Sequence, residues 1–249
     1  MIASLSCCAL DIETAPLARA LPAPSSGRGR KGDDGAGHGL TCASVVLFEE
    51  AGCRIVPGSV RLLTFERRLG EAEILRCIDA TLPDPVAGNM VVTFNGRGWD
   101  LPTMRQRAMA NWLFELTRIT AWNAAGDDHR DLMLQLSNGG AGRWQSLEAA
   151  CGSLCIPAKD LPPRAARSDD AVALGNQCDA VATFLLHLHL RSLELGTPMP
   201  LATGWIELAA SLALSGRAPS HLAPYVDHPR IELARAVLAS EARTASANS

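Results

Sequence analysis

An apolar run, Ala9-Leu10, reaches Asp11, steps over Ile12 to Glu13, and stops at Thr14 and Pro16. Successive side chains of a strand point to opposite faces, so Asp11 and Glu13 project from one face while Leu10 and Ile12 point the other way. Two like charges held that close repel unless something positive lies between them, so the pair asks for a cation. Two more acids stand at places that bear on the same question. Asp100 follows the apolar stretch "NMVVTFN" (89–95) and a glycine-rich turn, where a helix begins with Pro102 in its first turn. Taken alone it reads as an N-cap, because a carboxylate at a helix N-terminus is favourable in itself. Asp179 interrupts the apolar helical pattern of "GNQCDAVATFLLHL" (175–188), where an isolated aspartate commonly marks the solvent face.

The elements that must position these acids can be read from periodicity. Residues 3–11, 41–48 and 59–65 read as strands, with turn signals at Gly52 and Pro57-Gly58 between the second and third. In 71–82, Ile74, Ile78 and Leu82 recur four apart, as on one face of an amphipathic helix. A fourth strand at 89–95, a helix from about Leu101 and a short fifth strand in "HRDLM" (129–133) complete a mixed sheet covered by helices. Further helices are expected at 144–155, stopped by Pro157, at 169–195, ended by Gly196 and Pro198, and at 204–214 and 229–242. Residues 22–39, rich in Gly, Pro and Ser with mixed charge, read as a mobile loop whose Arg28, Arg30 and Lys31 are solvated.

Composition narrows the functional classes. The 249 residues are 47% hydrophobic and 20% charged, a globular balance with room for a substantial core. A net charge of −3 argues against a generally basic nucleic-acid-coating protein, though not against a local basic groove. The eight cysteines show no C-x-x-C pair and no histidine set at ligand spacing, so they read as small buried thiols. No apolar run reaches membrane-spanning length, and the start of the chain lacks signal-peptide features, so no membrane partner and a cytoplasmic location are expected.

Taken in order, Asp11-Ile12-Glu13, Asn95 through Asp100, and Asp179 resemble the three exonuclease motifs of the DEDD, or DnaQ-like, 3′-to-5′ exonuclease superfamily. Within it, "TFNGRGWDLP", "HRDLM" and "CDAVATFLLHL" look closest to the predicted exonucleases related to the proofreading domain of family-B DNA polymerases. The likeness covers about residues 5–195, so 1–195 is expected to form the exonuclease-like domain and 196–249 a helical C-terminal extension packed on it. It implies an α/β, ribonuclease-H-like fold with a mixed five-stranded sheet flanked by helices. It also implies two divalent cations, Mg or Mn, held by Asp11, Glu13, Asp100 and Asp179, which would hydrolyse phosphodiesters at single-stranded DNA or RNA 3′ ends. Under the same likeness Asp11 would bridge both cations, Glu13 and Asp179 would serve mainly the one that activates water, and Asp100 would act at one remove. Thr14, Asn95 and Trp99 would contact the terminal nucleotide, Trp99 by stacking. His129 and Asp131 receive no catalytic task.

The pattern is broken at one place. Active members of the superfamily carry a Tyr four residues, or a His five residues, before the last Asp; here those positions are Gly175 and Leu174, and neither can take a proton. Slowed cleavage is the expectation, with a silent relative that only binds nucleic-acid ends or a partner protein as the alternative. Asn176 and Gln177 are polar but not basic. Because glycine costs about 1 kcal/mol inside a helix, a start of the 169–195 helix shifted to near Asn176 is the alternative. That would let Lys159, Asp160, Arg164 or Arg167 approach from the preceding loop.

Overall fold

Strand β1 (Leu5–Pro16) carries the alternation seen in the sequence and runs antiparallel to β2 (His38–Ala51), with Asp11 opposite Ser44 and Glu13 opposite Cys42. The computed structural model describes residues 4–16, 38–86, 88–122, 126, 128–157, 159, 168–214 and 218–247. The outer edge of β2 pairs antiparallel with β4 (Arg61–Glu66) and, farther along, with the two-residue β3 (Arg54–Ile55). On its other side β1 pairs parallel with β5 (Met90–Thr93), and β5 with β6 (His129–Asp131). The expected five strands are all present, and β3 adds a sixth. It forms where Gly52, at φ 63, turns the chain back on β2, so that Ile55 pairs with Glu50.

Each face of β1 builds its own core. Cys8, Leu10 and Ile12 pack with Val45 under α1 (Glu71–Thr81), α2 (Asp100–Ala110) and α3 (Thr117–Ala121). Cys7 and Ala9 pack with Val46 and Phe48 under α6 (Asp169–Leu195). Leu10, Ile74, Ile78 and Leu101 are fully buried, each worth about 1.5–3 kcal/mol of transfer free energy. Asp11 and Glu13 therefore lie on the α6 side.

Two short helices, α4 (Leu132–Leu136) and α5 (Leu147–Ser153), precede α6; α5 starts later than the expected 144 because Ser146 caps it, and it ends two residues before the expected 155. Helix α6 spans the expected 169–195 and does not take the alternative start near Asn176. Ser168 accepts a hydrogen bond from the Ala171 N–H, and Asp169 and Asp170 fill the first turn, which favours initiation there and carries Gly175 into the helix interior. Left-handed Gly196 ends it. Helix α7 (Met199–Ala213) begins earlier than the expected 204, because Pro200 fits a first helical turn that has no use for its missing N–H. With α8 (Ala223–Val226) and α9 (Arg230–Ala247) it shares the apolar cluster of α6, where Trp205 and Tyr225 are buried.

Among the described residues no helix is long and apolar enough to cross a membrane. Of the loop expected at 22–39, His38 and Gly39 belong to β2 and the rest, with Arg28, Arg30 and Lys31, lies outside the described residues. All eight cysteines are free thiols. Five are buried as expected, Cys53 and Cys77 are partly so, and Cys155 is exposed.

Candidate metal centre

Asp11 and Glu13 continue the face of Cys7 and Ala9 beyond the apolar core, and Asp179 meets them from α6. One carboxylate oxygen from each of the three lies within 4.8 Å of the others. A β-bulge between Glu13 and Thr14 shifts the pairing so that Thr14 opposes Leu40, which bends the strand at the point where the acids emerge. The Thr41 hydroxyl donates to the Glu13 carbonyl at 3.0 Å and fixes the backbone there.

The carboxyl group of Asp11 is pushed well above the usual range. Burial is the main cause, followed by the charges of Asp179, Asp100 and Glu13, with the Lys159 ammonium opposing them. Lys159 forms an ion pair with Asp179. Asn176 stands three residues before Asp179 on α6, hence on the same helix face. It is fully buried and its Nδ2 donates to Asp11 Oδ2 at 2.5 Å. Its Oδ1 is buried without a hydrogen-bond partner among the described residues.

Asp100 stands outside the group of three. It is the first helical residue of α2, not its cap; Trp99 holds the cap position, at φ −131, and no side chain caps the helix. Asp100 is buried and its pKa is pushed up to about 8, by burial first and the Asp131 charge second, against a hydrogen bond from the backbone of Ile12. It thus grips β1 between the two acids of that strand.

The turn leading to Asp100 is held by Asp131. That buried carboxylate accepts from the N–H groups of Asn95 (3.1 Å) and Arg97 (2.9 Å) and caps α4 through Met133 and Leu134. Asn95 takes the left-handed conformation, φ 69, that lets the chain reverse. At Gly96 a Cβ would stand 2.1 Å from the Thr93 hydroxyl oxygen, which accepts the Gly96 N–H, so no larger residue fits. His129 is bonded to Thr93 at 2.8 Å, and burial lowers its pKa to about 4. Both "HRDLM" residues are thus positioning groups, as the sequence suggests, but Asp131 orders the site more directly than its pattern reveals.

Of the residues expected to meet a nucleotide, Asn95 forms the turn, Trp99 is partly buried against the α1–α2 core, and Thr14 is buried with its hydroxyl 3.3 Å from His38 Nδ1. Beside Thr14 opens a cavity of about 860 Å³ that reaches Thr41, Cys42, Arg67 and Asp169. Of the loop candidates for the missing Tyr or His, Lys159 reaches the acids, while Asp160, Arg164 and Arg167 lie outside the described residues. His187 and His189 pack at the other end of α6.

The three carboxylates form an all-oxygen donor set without soft sulfur or imidazole ligands among the described residues, which suits a hard divalent cation. Asp11, Glu13 and Asp179 can hold one. No family model matches this chain, and no curated protein matches it.

Proposed function

We propose that the chain is a metal-dependent 3′-to-5′ exonuclease of the DEDD superfamily with a ribonuclease-H-like fold, acting on single-stranded DNA or RNA ends with Mg or Mn, two ions in the full reading. The convergence of Asp11, Glu13 and Asp179, from motifs 165 or more positions apart, with carboxylate oxygens within 4.8 Å of one another, carries this reading. A mixed sheet with its acids on the central strand supports the fold assignment. Divalent cations bound there would supply positive charge to the scissile phosphodiester, favouring both the entering water and the departing 3′ oxygen.

The chain's own residues have separable tasks. Asp11, Glu13 and Asp179 present the oxygens, Asn176 orients Asp11, and Asp100 holds the strand between the two β1 acids. Thr14 lines the cavity where a terminal nucleotide would lie, and Trp99, packed against the α1–α2 core, is the residue the resemblance would stack on its base.

A second reading, a binding module for nucleic-acid ends or a protein partner, is favoured by one observation. Gly175, where active relatives carry Tyr, is buried inside α6, and no side chain of that position can order the attacking water. Digestion of end-labelled single-stranded DNA and RNA with Mn, beside Asp11→Ala and Asp179→Ala, separates the two. The enzyme releases mononucleotides, stops with chelator, and loses at least about a hundredfold on either substitution. Metal-dependent release that survives both would sink the site assignment. Binding of a 3′ overhang without shortening, with cleavage gained by Gly175→Tyr, would favour the module.

A further inference from the structure

The C-terminal helices bond the backbone on either side of the acid centre. Tyr225, 1% exposed, donates its hydroxyl proton to the Pro157 carbonyl at 3.0 Å, with the Cys178 carbonyl 3.4 Å away as a second, longer acceptor. Pro157 lies two residues before Lys159, and Cys178 immediately precedes Asp179. The same hydroxyl therefore ties together the two backbone segments whose side chains form the Lys159–Asp179 ion pair. Other contacts from beyond α7 reinforce the clamp. Arg230 donates to the Leu154 carbonyl at 2.8 Å, and His221 Nε2 lies 2.7 Å from Gln177 Oε1.

We propose that Tyr225 is a positioning residue of the acid centre: it registers Lys159 against Asp179, so that an ammonium group and a divalent cation compete for the same carboxylate. This rests on the reading of the acids as a cation site and assigns the C-terminal extension a part in tuning it. The ammonium neutralises Asp179 when no cation is bound, and opposes the cation when one arrives, since like charges in a partly buried site repel strongly. A side chain that merely supported the fold would weaken cation binding when altered. A residue that holds a competing charge in place has the opposite effect.

Titration calorimetry of the full chain with MnCl2 reads the difference. Lys159→Met is expected to tighten Mn binding about tenfold, the scale set by removing one nearby charge. Tyr225→Phe, which keeps the buried ring and deletes only the hydroxyl, tightens it by a smaller factor of about three. The double variant binds no more tightly than Lys159→Met, because the tyrosine acts through the lysine. Arg230→Met, which frees Leu154 from the same extension, shifts affinity in the same direction and serves where the tyrosine variant does not fold. Weaker or unchanged binding by both Tyr225→Phe and Arg230→Met, or effects that add to those of Lys159→Met, overturns the positioning role while leaving the cation site intact. Absence of Mn binding by the unaltered chain overturns the cation-site reading and this proposal with it.

Discussion

Helix α6 meets acids at both ends of the β1–β2 ribbon, fully buried at one end and half-buried at the other, and it treats them in opposite ways. At one end Glu50, 3% exposed, has its oxygens bonded to His187 Nε2 at 2.9 Å and Arg191 Nε at 3.2 Å. Burial alone would raise its pKa, but the bonds to His187 and Arg191 outweigh that and lower it. Burial lowers the pKa of His187 despite Glu50, so the imidazole is neutral and donates Nε2–H while Arg191 supplies the charge. At the other end, about 12 Å along the helix by its rise per residue, Asp11 shares its surroundings with three more carboxylates and its pKa is driven up. The first arrangement pairs both carboxylate oxygens with donors of the protein itself. The second stores repulsion that a divalent cation would relieve, and that contrast marks one end as structure and the other as a candidate site.

The widest separation between the two ends is expected from Glu50→Ala. It strands a buried imidazole N–H and an arginine, a loss of about 3 kcal/mol in urea unfolding, with Mn affinity of the folded chain unchanged. If Mn affinity fell in step with stability, the two ends would not be independent. Next in size is the response to the cation itself. At about 100 times its dissociation constant, Mn adds about 2.7 kcal/mol, or roughly 5–10 °C in melting temperature for a chain of this length. Asp11→Ala abolishes that gain, whereas Glu50→Ala, measured from its own lower baseline, retains it. Equal stabilisation of the Asp11 variant would place the ion elsewhere.

Part of this contrast is legible in the amino-acid sequence. The alternation around Asp11 and Glu13 sets which face the acids share, and Ser168 and Gly196 bound α6 by capping chemistry that local sequence carries. Partnerships across the chain are not legible in this way. Glu50 and His187 are 137 residues apart, and each alone reads as an ordinary polar residue. Asp131 reaches the Asn95 turn only because β5 and β6 pair in parallel, a register no local pattern specifies. Asn176 carries one usable signal, its spacing of three from Asp179, which puts an amide and an acid on the same helix face. Asp100 reads as a cap because a carboxylate beside a helix start has two physical explanations, and burial against β1 decides between them.

The smallest effect tests the stored repulsion without a cation. Asp100 titrates near 3.8 when unfolded and at about 8 when folded, so the folded chain holds the extra proton between those values. A raised carboxyl pKa contributes stability that is fully present below the unfolded value and lost as pH rises through the folded one. Histidines with lowered pKa, such as His129 and His189 at about 4, push the other way, but only below their unfolded value of 6.5. Above pH 7 they are neutral in both states, and the lowered Glu50 and Glu71 are ionised in both. Between about pH 7 and 8 the acid centre therefore dominates, and chelator-treated protein is expected to lose about 1 kcal/mol as Asp100 gives up its proton. Urea unfolding at the two pH values should show a shallower loss for Asp100→Asn, which has no proton to release, and a slope near zero for the unaltered chain in Mg, because a bound cation keeps the folded acids ionised as they are in the unfolded chain. Parallel slopes for the two chains in chelator would mean that Asp100 is ionised at neutral pH, and the site would then resemble the satisfied end of the helix instead of opposing it.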